Sequence, residues 1–269
     1  VNRGLLCEHG RYDPMNESRN RITTPQMRKN GKLEPVSWEE ALSALTTKLK
    51  PLAGKKNGVA AIASTRLSAE ALTMFNELFV NKFKSSMVTS VEEGVPTAAV
   101  TQFAGKHGGF EGKLDVLRTA DTVLCIGANI NRSHMVAGFL FKRNLPKGTH
   151  LINIDPETSD LDYLANTALK TKPGSDLALI KGLQAIIVKE CLGRSPLDLS
   201  NVDELIEQAV SAAGVSRAEL TQTAQMLARS ITPVILFGKG ITAQRDEKLV
   251  EELYRLAVLV GAVDSERHG

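Results

Sequence analysis

Short, mostly apolar runs of strand length alternate with longer amphipathic segments along much of this chain. One run, GVAAIAS, begins at Gly58, and others lie at residues 121–126, 150–155 and 233–237. Because neighbouring residues in these runs are apolar, both faces of each strand need cover, which is typical of parallel strands between layers of helices. The order of strands and helices therefore predicts an α/β fold with right-handed crossover connections.

The overall composition excludes several classes of protein. The net charge is +3 over 269 residues, so there is no large excess of positive charge for nucleic acid or an acidic membrane surface. No apolar run approaches the roughly 18 residues that a membrane span needs. The three cysteines stand far apart and form no CxxC pair, which fits a reducing compartment. We therefore expect a cytoplasmic protein with no nucleic-acid partner and no membrane span of its own.

The turns after the predicted strands carry residues suited to a ligand. Asn129 and His134 can donate hydrogen bonds, and Asp155 can accept one from a ribose hydroxyl or a guanine N–H group. Asp176 opens a helix whose positive N-terminus suits an anion, and a Gly-Lys-Gly turn at residues 238–240 follows the last strand. Each turn alone could be an ordinary turn, and Asp176 could simply cap its helix. Together, at equivalent strand ends, they favour a nucleotide site.

The N-terminal segment carries a more specific signal. Cys7 stands close to Gly10 and Arg11, a hairpin is predicted to turn at Asn30-Gly31, and Ser37 can cap the helix that follows. This order resembles the entry segment of the molybdopterin oxidoreductase family, which includes formate dehydrogenase alpha subunits and the G subunit of NADH-quinone oxidoreductase. Later segments are similar to the same family in the same order, namely GANINRSH, INIDPETSD, LKTKPGSDLALIKGL and ILFGKGITAQ.

The resemblance implies two interleaved three-layer αβα Rossmann-like domains with mostly parallel sheets, of the formate dehydrogenase and dimethyl sulfoxide reductase type. The first domain would consist of residues 1–92 and 238–269, and the second, of nucleotide-binding type, of residues 93–237. Active members hold two molybdopterin guanine dinucleotides that chelate Mo or W. By matching position, one dinucleotide would contact Asn129, His134, Asp155, Thr158, Gly174 and Asp176, and the other would lie near Gly238, Gly240 and Thr242.

Cys7 matches the fourth ligand of a 4Fe-4S cluster in the family, and the other three ligands would lie upstream. We therefore expect the chain to be a piece of a larger redox subunit. One thiolate in place of about four cannot assemble a cluster, so Cys7 would be a metal ligand only in the parent protein. On this reasoning the chain by itself binds no cofactor.

Three departures from the family pattern weaken the expected metal and dinucleotide site. Glu93 stands at the metal-ligand position, where formate-oxidising members have Cys or selenocysteine, and Gly94 stands at the usual His position. His9 replaces a lysine that bridges cluster and pterin, and Glu157 replaces a phosphate-facing arginine. A carboxylate ligand does not exclude a metal, but a carboxylate beside pyrophosphate lowers affinity.

These departures favour a molybdopterin-type domain like that of the G subunit of NADH-quinone oxidoreductase, which acts as a scaffold for iron–sulfur electron transfer. One alternative is an active Mo or W oxidoreductase of the formate dehydrogenase type that binds molybdopterin guanine dinucleotide. Another is a guanine-nucleotide-binding module without redox function. The expected partners are other subunits of a multisubunit oxidoreductase, which could hold the chain at the cytoplasmic face of the membrane.

Overall fold

In the computed structural model of the protein, the described residues are 8–13, 15–16, 18, 20–55, 58–64, 67–90, 113–244 and 246–263. Contacts between residues divide the chain into two units. One unit is Tyr12–Gly94, and the other is Val95–Gly269 together with Val1–Arg11.

The described residues up to Ser90 form a hairpin, several helices and a small parallel sheet. The helices and strands are α1 (Glu8–Tyr12), β1 (Gln26–Lys29), β2 (Lys32–Pro35), α2 (Trp38–Leu49), β3 (Ala61–Ala63), α3 (Ala69–Asn76) and β4 (Val88–Ser90). β3 and β4 pair in parallel. β1 and β2 pair antiparallel and turn at Asn30-Gly31, where φ is 47° and 83°. Asn and Gly tolerate these left-handed angles, and the predicted hairpin is confirmed.

The described residues from Lys113 onward form a larger α/β unit. Its helices and strands are β5 (Thr122–Ile126), α4 (Ile130–Ser133), α5 (Met135–Lys142), β6 (His150–Ile154), β7 (Thr167–Leu169), α6 (Asp176–Lys189), α7 (Val202–Ala213), α8 (Arg217–Ala228), β8 (Pro233–Phe237), α9 (Lys239–Thr242) and α10 (Glu247–Val260). A 3-10 helix at Leu114–Arg118 precedes β5.

The strands of this unit pair in parallel in the order β7-β6-β5-β8. Thr122 at the start of β5 lies opposite His150 of β6 and Pro233 of β8. The carboxyl ends of β5, β6 and β8 therefore lie along one edge of the sheet. This edge is where a parallel sheet presents a ligand site.

Both faces of the central strand β5 are buried under helices. Leu124 and Ile126 belong to a core that includes residues of α6, α7, α8 and α10. Val123 and Cys125 point to the other face, into a core formed with α5 and the 3-10 helix. Alternate residues of a strand point to opposite faces, so a continuous apolar run is what this three-layer arrangement requires. The prediction of an α/β fold with mostly parallel strands is confirmed.

The C-terminal helix α10 lies in the same unit as the four-stranded sheet. Leu253 and Leu256 are buried in one core with Leu183 of α6, and Gln184 Nε2 donates a hydrogen bond of 2.8 Å to the carbonyl oxygen of Glu252. The predicted grouping of residues 238–269 with residues 1–92, and of residues 93–237 as a second domain, stays a prediction. The apolar spacing of α10 indicates a buried face, but it carries no information about which element covers that face.

None of the helices in the described ranges is both long enough and apolar enough to cross a membrane.

Candidate functional site

The turns that follow the parallel strands are joined by backbone hydrogen bonds. Gly127, directly after β5, donates from its N–H to the carbonyl oxygen of Ile154 at 2.9 Å. Asp155, directly after β6, donates in the same way to Leu169 at 3.2 Å. The ladder thus continues one residue past each strand end, which fixes the position of Asp155 relative to the sheet.

The turns after β5 and β8 are in direct backbone contact. Gly240 N–H donates to the carbonyl oxygen of Gly127 at 2.9 Å. A Cβ built on Gly127, where φ is 56°, would lie 2.9 Å from Gly240 Cα, and one on Gly240 would lie 2.6 Å from Gly127 Cα. Gly238 is equally close, since its Cβ would lie 2.9 Å from the Gly127 oxygen. These glycines are needed because two turns pack together, and each fills the space beside the other.

A polar pocket of about 510 Å³ lies at the ends of β5 and β6. Its lining residues come from the start of α4 and from the loop that follows β6. They are Asn129, Arg132, Asp155, Glu157, Thr158, Ser159, Asp160 and Tyr163. The pocket is large enough for a small polar ligand.

Asp160 connects the two loops that form this pocket. Its carboxylate accepts hydrogen bonds from Asn131 Nδ2 at 2.5 Å and from Asn129 Nδ2 at 3.4 Å. Asn129 in turn caps α4, because its Oδ1 accepts from the backbone N–H of Arg132 at 3.3 Å. The amides after β5 therefore fix the loop after β6, and this leaves Asn129 at the wall of the pocket.

Asp162 anchors the loop after β6 from beneath. Its carboxylate accepts from Asn153 Nδ2 at 2.7 Å and from the Ser159 backbone N–H at 2.8 Å, and it pairs with Lys170 Nζ at 2.7 Å. Burial opposes ionisation of Asp162, but hydrogen bonds from Lys170, Ser159 and Asn153 outweigh it, so the pKa lies below its ordinary value. Lys170 Nζ also donates to the Glu157 carbonyl oxygen at 2.6 Å.

Asp176 is the first residue of α6, and only 7% of it is exposed. Its Oδ2 accepts a hydrogen bond of 2.6 Å from Gln244 Nε2. The pKa of Asp176 lies above its ordinary value, because burial and the nearby charge of Asp155 outweigh the hydrogen bonds that favour the carboxylate. A buried carboxylate beside a second carboxylate is a costly arrangement, of the kind that clusters at functional sites.

The structure brings some of the predicted site residues together and separates others. Asn129, Asp155 and Thr158 line the pocket. The lining does not include His134, which is exposed and has Nδ1 3.0 Å from Ser133 Oγ. Gly174 forms a left-handed turn with φ of 78° and has no atom near the position of a Cβ.

The remaining predicted residues belong to the turn after β8 or lie outside the described part of the chain. Gly238 and Gly240 pack on the turn after β5, and Thr242 Oγ1 donates to the Gly238 carbonyl oxygen at 3.4 Å. Cys7, Glu93 and Gly94 lie outside the described residues, as does the side chain of His9. The roles predicted for these residues stay predictions.

Several residues of the site were not predicted. Arg132, Ser159, Asp160 and Tyr163 line the pocket, and Gln244 contacts Asp176. A polar loop of this length between β6 and β7 was a signal that the loop carries more than a turn. The contact of Gln244 had no such signal, because its partner is 68 positions away.

Metal ligands do not gather anywhere in the described ranges. No group of three or more His, Cys, Asp or Glu side chains in them could hold a metal ion.

The fold and the site together define a doubly wound α/β domain with a polar pocket at the carboxyl ends of its parallel strands. The chain belongs to the molybdopterin oxidoreductase family, whose profile matches residues 21–269. The resemblance inferred from the motifs is therefore confirmed.

Known proteins of this family are similar to the chain over much of its length. Formate dehydrogenase H of Escherichia coli (strain K12) is 28% identical over an alignment of 299 positions, gaps included, which covers 100% of this chain and 41% of that protein. The second NADH-quinone oxidoreductase G subunit of Rhizobium meliloti (strain 1021) is 31% identical over 195 residues, which cover 70% of this chain and 22% of that protein.

A solved structure supports the same fold. Acetylene hydratase from Pelobacter acetylenicus superposes with a TM-score of 0.70 at 20% identity, over 96% of this chain and 38% of that one. The chain therefore spans less than half the length of each of these proteins.

The family implies a molybdopterin cofactor, carried in active members as a guanine dinucleotide. In the pocket, Asp155, Glu157 and Asp160 offer carboxylate oxygens that can accept from ribose hydroxyls and guanine N–H groups. Arg132 is the one cationic side chain among the described residues of the lining. The space beside Gly127 and Gly240, in the turns after β5 and β8, is filled by backbone atoms of the opposite turn. The described residues therefore fit the nucleoside end of the dinucleotide and do not fit its diphosphate.

Proposed function

We propose that this chain is part of a redox subunit similar to the G subunit of NADH-quinone oxidoreductase, in which the molybdopterin-type domain acts as a scaffold for iron–sulfur electron transfer. The observation that supports this proposal is the charge of the polar pocket. Three carboxylates and one guanidinium line this pocket, in a family whose active members place a diphosphate in this region.

The size of the electrostatic penalty supports a loss of cofactor binding. A carboxylate about 6 Å from a phosphate charge costs roughly 3 kcal/mol at an effective dielectric constant of about 20. Glu157 stands where the family pattern has an arginine, so repulsion between a carboxylate and the phosphate replaces attraction between a guanidinium and the phosphate. Each change of about 1.4 kcal/mol is a tenfold change in affinity, and a swing of this kind lowers dinucleotide affinity by orders of magnitude.

The second candidate function is an active Mo or W oxidoreductase of the formate dehydrogenase type. It is favoured by the similarity to formate dehydrogenase H, which extends over 100% of the chain. Under this alternative, Glu93 takes the place of the thiolate or selenolate ligand, and the parent protein contains metal and pterin.

Metal analysis of the parent protein separates these two functions. The protein is purified without oxygen, and its Mo, W, Fe and pterin are measured per polypeptide. The scaffold predicts iron with neither Mo, W nor pterin. Stoichiometric Mo or W with pterin would overturn the scaffold and support the active enzyme.

The Glu157→Arg variant of the parent, which restores the family's residue, is a matched test of the charge argument. If the charge of the pocket is the reason that dinucleotide binding is lost, this variant retains more pterin dinucleotide than the wild type in a host that makes the cofactor. Equal retention by both proteins would contradict the charge argument.

The iron–sulfur part of the proposal depends on Cys7. In the parent, Cys7→Ala is expected to remove one iron–sulfur signal from the electron paramagnetic resonance spectrum, and Cys191→Ala serves as a control. Cys191 is an exposed thiol outside the N-terminal segment that resembles the cluster-binding region, so its loss is expected to leave the spectrum unchanged. A spectrum that Cys7→Ala does not alter would refute the assignment of Cys7 as a cluster ligand.

The proposed partners are other subunits of a multisubunit oxidoreductase, held at the cytoplasmic face of the membrane. This proposal is supported by the similarity to the Rhizobium meliloti protein, which is named as a subunit of NADH-quinone oxidoreductase. Isolation of the tagged parent from gently solubilised cells, followed by mass spectrometry, is expected to recover redox subunits in fixed ratio. Recovery of the parent alone would contradict it.

A further inference from the structure

The side chain of Gln244 connects two turns to which different nucleotides were assigned from the sequence. Its Nε2 donates to Asp176 Oδ2 at 2.6 Å and to the Gly240 carbonyl oxygen at 2.7 Å. Asp176 belongs to the start of α6, and Gly240 belongs to the turn after β8. A single amide group therefore fixes the position of one turn relative to the other.

We infer that Gln244 is a positioning residue, which holds Asp176 as an ionised, oriented hydrogen-bond acceptor and makes the turn after β8 and the start of α6 move as one body. The amide is suited to this task because it is a neutral donor with two N–H groups, one for each acceptor. A lysine would neutralise the carboxylate, and a shorter side chain would reach one partner only.

The surroundings of Asp176 explain why such a donor is needed. The residue is buried, and the charge of Asp155, at the end of β6, acts on it as a like charge. The N-terminus of α6 favours a negative charge, and it supplies the other support for the carboxylate. Without Gln244, burial and the charge of Asp155 disfavour the ionised form of Asp176, and only the N-terminus of α6 favours it.

The same contacts extend the connection to the turn after β5. Gly240 N–H donates to Gly127, so hydrogen bonds run from Gly127 through Gly240 and Gln244 to Asp176. A ligand that draws Asp176 away from Gln244 is therefore expected to loosen the turn after β8.

The test is the stability of Gln244→Ala as a function of pH, measured on the whole chain by urea unfolding. An ionised Asp176 at pH 7 predicts that the variant increases the unfolding equilibrium constant there by about tenfold. At about pH 3, where Asp176 is protonated, the increase falls to about twofold, because the lost bond is then one between neutral groups. In an Asp176→Asn background, the extra loss at pH 7 is expected to vanish.

Gln225→Ala is a matched control. Gln225 Nε2 also donates to a carboxylate, Glu190 Oε2, at 2.8 Å, but that pair is exposed. Since water replaces the lost partner there, this variant is expected to show little loss and little pH dependence.

Titration of the Asp176 carboxyl group by carbon-13 NMR provides a second readout. Loss of a donor to the ionised form is expected to raise its titration midpoint in Gln244→Ala above that of the wild type. A stability loss that is equal at both pH values, or an unchanged midpoint, would overturn the inference. Neither measurement needs a cofactor, so the result does not depend on the metal content of the parent.

Discussion

Replacing Asp162 with alanine tests whether a buried charge holds the loop after β6, which lines the polar pocket. The Asp162 side chain is only 14% exposed, and it accepts from Asn153 Nδ2 and the Ser159 backbone N–H while pairing with Lys170. Asn153 is 1% exposed, and its Oδ1 already lacks a partner among the described residues. In the variant the whole amide of Asn153 is therefore buried without a partner.

The expected loss of stability follows from these contacts. A buried polar group left without a partner costs about 1–3 kcal/mol. Lys170 is 38% exposed and keeps its bond to Glu157, so water replaces most of its interaction and the lost ion pair adds about 1 kcal/mol. Ser159 is half-buried, so water can replace part of the interaction that its N–H loses. The sum is a destabilisation of about 3 kcal/mol.

The assay is urea unfolding followed by circular dichroism, with Asp203→Ala as the control. Asp203 also pairs with a lysine, Lys189, at 2.6 Å, but its side chain is 73% exposed, so this variant is expected to leave the midpoint unchanged. If Asp162→Ala costs no more than Asp203→Ala, the carboxylate does not anchor the loop and the reasoning fails.

The pH dependence has a definite sign. The pKa of Asp162 is lower in the folded state than in the unfolded chain, so the folded state binds fewer protons. The contribution of Asp162 to stability is fully present above the pKa of the unfolded chain, near 3.8. It is lost as the pH falls through the lower pKa of the folded state. The difference between wild type and Asp162→Ala should therefore shrink below about pH 4. A difference that stays constant down to about pH 2.5 would contradict this assignment.

Two further predictions concern backbone packing and thiol burial. Gly127→Ala should lower stability by about 2–4 kcal/mol in urea unfolding, because the new methyl group would clash with Gly240 and alanine is strained at the left-handed φ of this position. Gly174→Ala, with φ of 78° and open space, should cost only about 1 kcal/mol, and equal costs would refute the packing argument. Burial raises the pKa of Cys125 to about 12, so in a Cys7→Ala chain at pH 8, iodoacetamide should label exposed Cys191 and leave Cys125 unmodified until urea is added. Mass spectrometry would detect labelling of native Cys125, which would contradict its burial.

Much of the fold could be predicted because its signals are local. A continuous apolar run such as residues 122–126 needs cover on both faces, and Asn30-Gly31 tolerates the positive φ values that a tight hairpin turn requires. The strand-end position of Asp155 follows from the same local pattern, since it comes directly after an apolar run. These signals need no knowledge of which distant residue is nearby.

The candidate site was predicted less completely, because its contacts join residues that are far apart in the chain. Gly240 was expected to lie near a dinucleotide, but backbone atoms of Gly127 occupy the space beside it, and backbone atoms of Gly240 occupy the space beside Gly127. His134 follows the same turn as Asn129, and its position at the end of a short helix nevertheless leaves it exposed and out of the pocket lining. Spacing in the sequence cannot distinguish these outcomes.

The amino-acid sequence alone indicates the α/β class, the family and the edge of the sheet where polar residues gather. These depend on apolar periodicity, turn chemistry and the order of motifs, which are properties of neighbouring residues. The folded chain was needed to show that α10 covers α6, that three carboxylates and one guanidinium line one pocket, and that Gln244 reaches Asp176. Burial and electrostatic interaction depend on distance in space, and the folded chain sets those distances through packing that no local pattern encodes.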